Sequence, residues 1–93
     1  MNNAPTYVKQ SLSHNANVLA NILYCQFTTN KNFDEFSDFS IVPLSPDDLN
    51  EAISELEKYE LISVEYDDNN EMYLYIHYCI ITYKEHGMLK KIE

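Results

Sequence analysis

The chain contains no arginine and a single glycine, Gly87, and each scarcity removes a class of chemistry. Arginine carries the planar fork best matched to guanine and phosphate, so direct base reading is handicapped. A loop that cradles phosphate needs several glycines close together, and one isolated glycine cannot supply it. The only two cysteines, Cys25 and Cys79, lie inside apolar runs rather than at the spacings of a disulfide scaffold. They read as reduced core thiols in a cytosolic protein. No C-x-x-C or H-x-x-x-H pattern exists, and His77-x-Cys79 is a poor ligand pair, so neither metal nor other cofactor is expected. No apolar run approaches the ~18 residues of a membrane span, and the N-terminus lacks the charged-then-apolar secretory pattern. The expectation is a soluble cytoplasmic protein with no membrane partner.

What is present is acid, and it is unevenly placed. Between Asp34 and Glu71 thirteen carboxylates face the single Lys58, a net of −12, whereas the flanks set five lysines against two glutamates, a net of +3, giving −9 for the whole chain. Ninety-three residues with eight Tyr and four Phe suit one compact domain spanning 1–93, with loose ends at 1–6 and 85–93. There is no internal repeat.

The best-marked stretch is Ser45 to Ile76. Ser45 stands at an N-cap, Pro46 at the first helical position and Asp48 three residues after the cap, and Leu49, Ala52, Ile53 and Leu56 recur at helical spacing. Leu61–Asp67 and Met72–Tyr78 alternate with period two around the turn-forming Asp68-Asn-Asn-Glu71, which predicts a hairpin. Ile62, Val64, Tyr66, Met72, Leu74 and Ile76 then share a buried face, and Ser63, Glu65, Tyr73, Tyr75 and His77 the other. Upstream, Ala16, Leu19, Ala20, Leu23 and Phe27, widened by Val18, Ile22 and Tyr24, predict a central core helix beginning at the Ser13 cap. Thr28–Asn32 reads as a loop. Phe33, Phe36 and Phe39 suggest a turn or two of helix with three rings inward, and Pro43 biases Val42 to extended backbone. Tyr7–Gln10 suits either a short extended piece or a helix start. Cys79–Tyr83 has the composition of continued strand. Lys84–Glu93 suits a short final helix using Met88, Leu89 and Ile92, with Gly87 against its continuity.

Leu49-x-x-Ala-Ile-x-x-Leu-x-x-Tyr-x-Leu-Ile62 followed by an acidic-tipped hairpin resembles the third helix and wing of a winged helix-turn-helix domain. Ser13-His-Asn-Ala-Asn-Val-Leu-Ala-Asn-Ile-Leu-Tyr24 is similar to the first helix of the N-terminal domains of replisome-organiser and replication-initiator proteins of low-GC bacteria, their plasmids and phages. The similarity covers about residues 7 to 78 and implies an α+β, winged-helix-like fold of three helices plus a β-hairpin wing, with a possible short C-terminal helix. Three features depart from that family. Glu60 stands where it often has glycine before Leu-Ile, at a cost of about 1 kcal/mol if the backbone there is left-handed. The face that meets DNA in the family carries Arg and Lys, and here it does not. The segment at the second helix is short and acidic.

No catalytic kit emerges. Ser13 and His14 are neighbours in sequence, which is not the through-space geometry of a nucleophile and its base. The pairs Asp34/Glu35, Asp47/Asp48 and Asp67/Asp68 sit in turns or helix starts, where caps and dipole partners are their simplest roles. The expected contact surface is therefore Asp47, Asp48, Glu51 and Glu55 on the helix, read as exposed positions, with Asp67, Asp68, Tyr73 and Tyr75 on the hairpin. Such carboxylates repel a phosphate array but can imitate one before a basic protein surface, with Tyr rings adding apolar area. This points to a non-enzymatic DNA-mimic-like inhibitor or regulator of a phage or mobile element, the class that includes inhibitors of nucleases, polymerases and CRISPR effectors. The alternative is a winged-helix DNA-binding, replication-initiation or transcription-regulator module using Lys9, Lys31, Lys84, Lys90 and Lys91, gathered by homodimerisation through the first helix.

Overall fold

The computed structural model describes residues 6–29 and 34–91. Within them the order is β1 (Tyr7–Lys9), α1 (His14–Thr29), β2 (Glu35–Phe36), a 3-10 turn (Phe39–Ile41), α2 (Pro46–Lys58), β3 (Ile62–Tyr66), β4 (Met72–Ile76), α3 (Cys79–His86) and β5 (Met88–Lys90). Three α-helices and two antiparallel sheets make an α+β fold. One sheet has the order β2-β4-β3, and the other is the two-stranded ribbon β1-β5.

α1 supplies the middle of the core. Ala16, Leu19, Ala20 and Leu23 are fully buried on one stripe, with Ile22, Tyr24 and Phe27 packed at its margins. Its start is fixed by the Ser13 hydroxyl accepting from the Ala16 N–H at 3.3 Å. α2 begins as the sequence requires: the Ser45 hydroxyl accepts from the Asp48 N–H at 3.2 Å, with Pro46 leading the helix. Ala52, Ile53 and Leu56 pack inward. The hairpin register is Ile62↔Ile76, Val64↔Leu74 and Tyr66↔Met72, the expected pairing. Burial along that face is graded, however. Ile62, Leu74 and Ile76 are buried, Val64 and Met72 half-buried, and Tyr66 is 61% exposed because the hairpin runs past the helices.

Four segments differ from the sequence expectation. Of the Phe33–Phe39 stretch, residues 34–38 are not helical. Glu35 and Phe36 form β2 against Tyr75 and Leu74, and only Phe39–Ile41 makes a single 3-10 turn. The competing force is burial of Phe36, 1% exposed, with its ring edge-on to Phe39 at 5.5 Å. Phe33 lies outside the described residues. Of the expected 28–32 loop, Thr28 and Thr29 belong to α1, and 30–32 lie outside the described residues. Cys79–Tyr83 is helix rather than strand, because in α3 Ile80 and Tyr83 reach the core together, and tertiary packing outweighs the weak β-preference of Ile-Ile-Thr. Finally, Gly87 ends α3 in the left-handed region at φ 66°, its N–H donating to the Tyr83 carbonyl at 2.7 Å. Met88–Lys90 then leaves as β5, pairing with β1 so that Val8 faces Leu89. Tyr7–Lys9 is thus extended, and Ile92 falls outside the described residues.

Two polar features hold the ends. The Tyr83 hydroxyl donates to Asn17 Oδ1 at 2.6 Å and accepts the Leu12 N–H at 3.1 Å, while Asn17 Nδ2 donates to the Leu12 carbonyl at 3.0 Å. Glu60 has φ 60°, so the left-handed position that the resemblance marks is occupied by a non-glycine residue. Its carboxylate pairs with Lys90 Nζ at 2.8 Å and its carbonyl accepts from the Cys79 thiol at 3.0 Å, linking the α2–β3 corner to α3 and β5.

Tyr83→Phe strands the buried Leu12 N–H and is expected to cost about 1–3 kcal/mol in urea unfolding. At Glu60, the glycine variant should exceed the alanine variant in stability by about 1 kcal/mol, since both lose the ion pair and only glycine relieves the left-handed backbone.

Candidate functional site: an acidic groove at the hairpin tip

The hairpin tip is built by Asp67. Its Oδ1 accepts from the Asn69 and Glu71 N–H groups, both at 2.9 Å, and its own N–H donates to the Glu71 carbonyl at 3.0 Å. Asn70 takes φ 62°, which asparagine tolerates. This turn aims Asp68 and Glu71 outward. Beside it, β2 covers only Tyr75 and Leu74 of β4, so at Tyr73 and Met72 β4 is paired by β3 on one side and uncovered on the other. The space left by the missing strand is a groove of about 870 Å³ lined by Glu35, Ser37, Phe39, Tyr66, Asp67, Asp68, Glu71, Met72 and Tyr73. Four carboxylates and three aromatic rings thus share one surface, with no basic side chain among the described residues on its walls.

The electrostatics leave their mark on the phenols. Partial burial first, then the charges of Glu35, Glu65 and Asp67, push the Tyr73 hydroxyl above its usual value. Hydrogen bonding to Asp34, followed by that residue's charge, does the same for Tyr75. Both rings therefore remain neutral donors throughout the physiological range. Tyr75 is also edge-on to His77, with ring centroids 5.4 Å apart.

The expected contact residues divide into two groups. Asp67, Asp68 and Tyr73 line the groove, and Tyr75 stands next to it on the same strand face, with cross-strand partner Ser63. Asp47, Asp48, Glu51 and Glu55 lie on α2, and none of them lines it. Asp47 and Glu51 are exposed as expected, but Asp48 and Glu55 are half-buried. Glu55 is structural, since its Oε2 accepts from the Ser13 N–H at 2.8 Å and so caps the segment that starts α1. Equal exposure of the four carboxylates is therefore corrected, because the α1–α2 contact draws one flank of α2 inward.

Sequence reasoning missed Glu35, Glu71 and Tyr66 as groove residues. Glu35 belongs to a segment whose spacing suggests helix, and Tyr66 alternates onto the face expected to be buried. Alternation gives a side chain's face but not where the covering helices stop. A second overlooked feature is the pair Ser63 Oγ and His77 Nε2, 2.6 Å apart across the strands. The pair lies away from the groove, and the hydrogen bonds among the described residues give His77 no orienting carboxylate, so a relay of nucleophile, base and acid is not assembled. The Cys79 thiol is pushed up chiefly by burial, which disfavours the thiolate. Among the described residues no three His, Cys, Asp or Glu side chains are placed to hold a metal ion, and no helix is long and apolar enough to cross a membrane.

The described lysines are engaged in different ways. Lys84 Nζ bonds Asn21 Oδ1, Lys90 is engaged by Glu60, and Lys9 and Lys91 are exposed at the β1-β5 ribbon. Lys31 lies outside the described residues. No protein-family model, curated protein or solved structure matches the chain.

Asp67→Ala should cost about 1 kcal/mol by freeing two turn amides, whereas Asp68→Ala should stay within about 0.5 kcal/mol. The same contrast is expected between Glu55→Ala and Glu51→Ala. Thermal unfolding of the four variants checks both pairs.

Proposed function

We propose that the chain is a non-enzymatic protein-binding module, an inhibitor or regulator of the kind carried by phages and mobile elements, that engages a basic, nucleic-acid-binding surface of a partner protein. The observation carrying this reading is the groove in which Glu35, Asp67, Asp68 and Glu71 surround Phe39, Tyr66 and Tyr73. Lysine and arginine side chains have long apolar stems and cationic heads, and a groove with aromatic walls and a carboxylate rim offers a surface to each part. The same groove repels a phosphate backbone, and the exposed carboxylates of α2 extend the negative field.

The finer architectural reading is a winged-helix-like domain. It is supported by the order of helix, short strand, turn, capped helix and hairpin, with β2 joining the far strand of the hairpin. On this reading the 3-10 turn at Phe39–Ile41 stands in place of a second helix, and α2 corresponds to the helix that relatives lay in the major groove. Here that helix presents Asp47 and Glu51 to solvent.

A second reading, a nucleic-acid module, is favoured by the β1-β5 ribbon, which brings Lys9, Lys90 and Lys91 from opposite ends of the chain to one place. The pairing of Lys90 with Glu60 reduces what that ribbon can offer a phosphate.

Passage over immobilised duplex and single-stranded DNA at low salt separates the two. The protein-binding reading expects no retention of the chain, together with release of basic proteins from heparin resin when the chain is added. It also expects that release to be lost in Glu35→Lys/Asp68→Lys/Glu71→Lys, whose stability should stay within about 1 kcal/mol because all three side chains are exposed. Retention on DNA that falls steeply with added salt would overturn it in favour of the ribbon lysines.

A further inference from the structure

Along β4 the backbone groups alternate between the two neighbouring strands. Toward β3, the His77 N–H donates to the Leu61 carbonyl at 2.9 Å, and at the tip the Asp67 N–H donates to the Glu71 carbonyl at 3.0 Å. Toward β2, the Ile76 N–H donates to the Asp34 carbonyl at 2.7 Å. Odd-numbered residues of β4 thus turn their backbone groups to β3, and even-numbered ones turn theirs to the β2 side. β2 pairs with β4 only at Tyr75 and Leu74 before the chain leaves for the 3-10 turn. The next even position is Met72. Its N–H and carbonyl face the open edge, and no hydrogen bond among the described residues engages them there. A free donor and a free acceptor on one edge residue are half of an antiparallel pair.

The two faces of the sheet at this edge are furnished differently. Buried Phe36, Leu74 and Ile76 mark the core side, to which Met72 and its partner Tyr66 also belong by alternation. Tyr73 stands on the outer side, as does Glu35 opposite Tyr75. The acidic groove is lined from both: by Tyr66 and Met72 with Phe39 from the core side, by Tyr73 and Glu35 from the outer side, and by Asp67, Asp68 and Glu71 at the tip.

We propose that the groove takes an extended segment of the partner, basic, apolar and basic in sequence, that adds to the sheet at Met72 along the line β2 has left. The proposal rests on the protein-binding reading above and gives the form in which the partner presents its cations. The residue opposite Met72 exchanges two main-chain hydrogen bonds with it and turns its side chain to the core side, against Tyr66 and Phe39, where an apolar group fits. Its two neighbours turn to the outer side. There a lysine or arginine lays its stem along Tyr73 and sets its charge among Glu35 and the tip carboxylates. Main-chain pairing supplies affinity, and alternation supplies the sequence requirement. Charge selects this occupant over a second copy of the chain, because pairing two β4 edges would press Glu35, Asp68 and Glu71 of one copy on the acidic groove of the other. A basic helix would meet the carboxylates but leave the Met72 N–H and carbonyl covered and unpaired.

Amide-resolved NMR titration of the full chain with three capped pentapeptides of equal charge tests the pairing: Gly-Lys-Val-Lys-Gly, the same peptide N-methylated at valine, and the rearranged Gly-Lys-Lys-Val-Gly. The first should give saturating shifts at Met72 and slow the exchange of its amide proton several-fold. N-methylation removes the donor to the Met72 carbonyl without changing the charge, and it should weaken binding about fivefold, as should the rearrangement. Equal affinity of the three peptides, with exchange at Met72 unchanged, overturns strand addition and leaves the groove as a surface for cations alone. Failure of all three to shift any groove residue overturns the protein-binding reading together with it.

Discussion

Desolvation decides the layout of this molecule. A carboxylate moved from water into a dry interior without a partner loses several kcal/mol of hydration, and no charged side chain is buried among the described residues. A sequence with thirteen acids between residues 34 and 71 must therefore fold so that this segment turns its polar side outward while still supplying Phe36, Ala52, Ile53, Leu56, Leu61 and Ile62 to the core. Two of the carboxylates are held by backbone donors. Glu55 receives the Ser13 N–H and Asp67 two amides of its own turn. The others remain as field, and the groove at the hairpin tip gathers Glu35, Asp68 and Glu71 with Asp67 around aromatic walls.

Polarity along the chain becomes polarity in space through the ends. β1 and β5 pair across about eighty residues of sequence, collecting cationic side chains on a ribbon while the middle of the chain carries the acids. Glu60 joins the two regions. It occupies a strained left-handed position at the α2–β3 corner, and its ion pair with Lys90 and its carbonyl contact with Cys79 tie that corner to α3 and β5. The energy of such an exposed pair is modest, so its value is better read as fixing the relative placement of acidic hairpin and basic ribbon.

Local chemistry made some of this legible in the sequence and hid the rest. Ser45, Pro46 and Asp48 announce α2 because capping is a short-range matter. Alternation around Asp67–Glu71 fixes the hairpin register because period two admits one buried face. A two-residue strand such as β2 has no local signature, since it exists only where β4 offers an unpaired edge and the core has room for Phe36. α3 was obscured for a related reason: Ile80, Ile81 and Thr82 favour strands in isolation, and only packing of Ile80 and Tyr83 on α1 makes them helical. The candidate site divides in the same way. Asp67, Asp68 and Tyr73 could be found from the hairpin alone. Glu35 and the outward Tyr66 depend on where other elements stop, and the structural role of Glu55 depends on α1 being its neighbour.

The proposed recognition of cationic side chains rests on the groove beside β4 rather than on the molecule's acidity as a whole. Amide chemical-shift mapping of the full chain, titrated with a lysine- and arginine-rich protein such as protamine, separates these two sources of attraction. Groove recognition requires early, saturating shifts at Glu35, Asp67, Asp68, Glu71 and Tyr73, with Asp47 and Glu51 responding later and more weakly. Shifts spread evenly over every exposed carboxylate, or none at the groove, would show instead that net charge alone draws the cation.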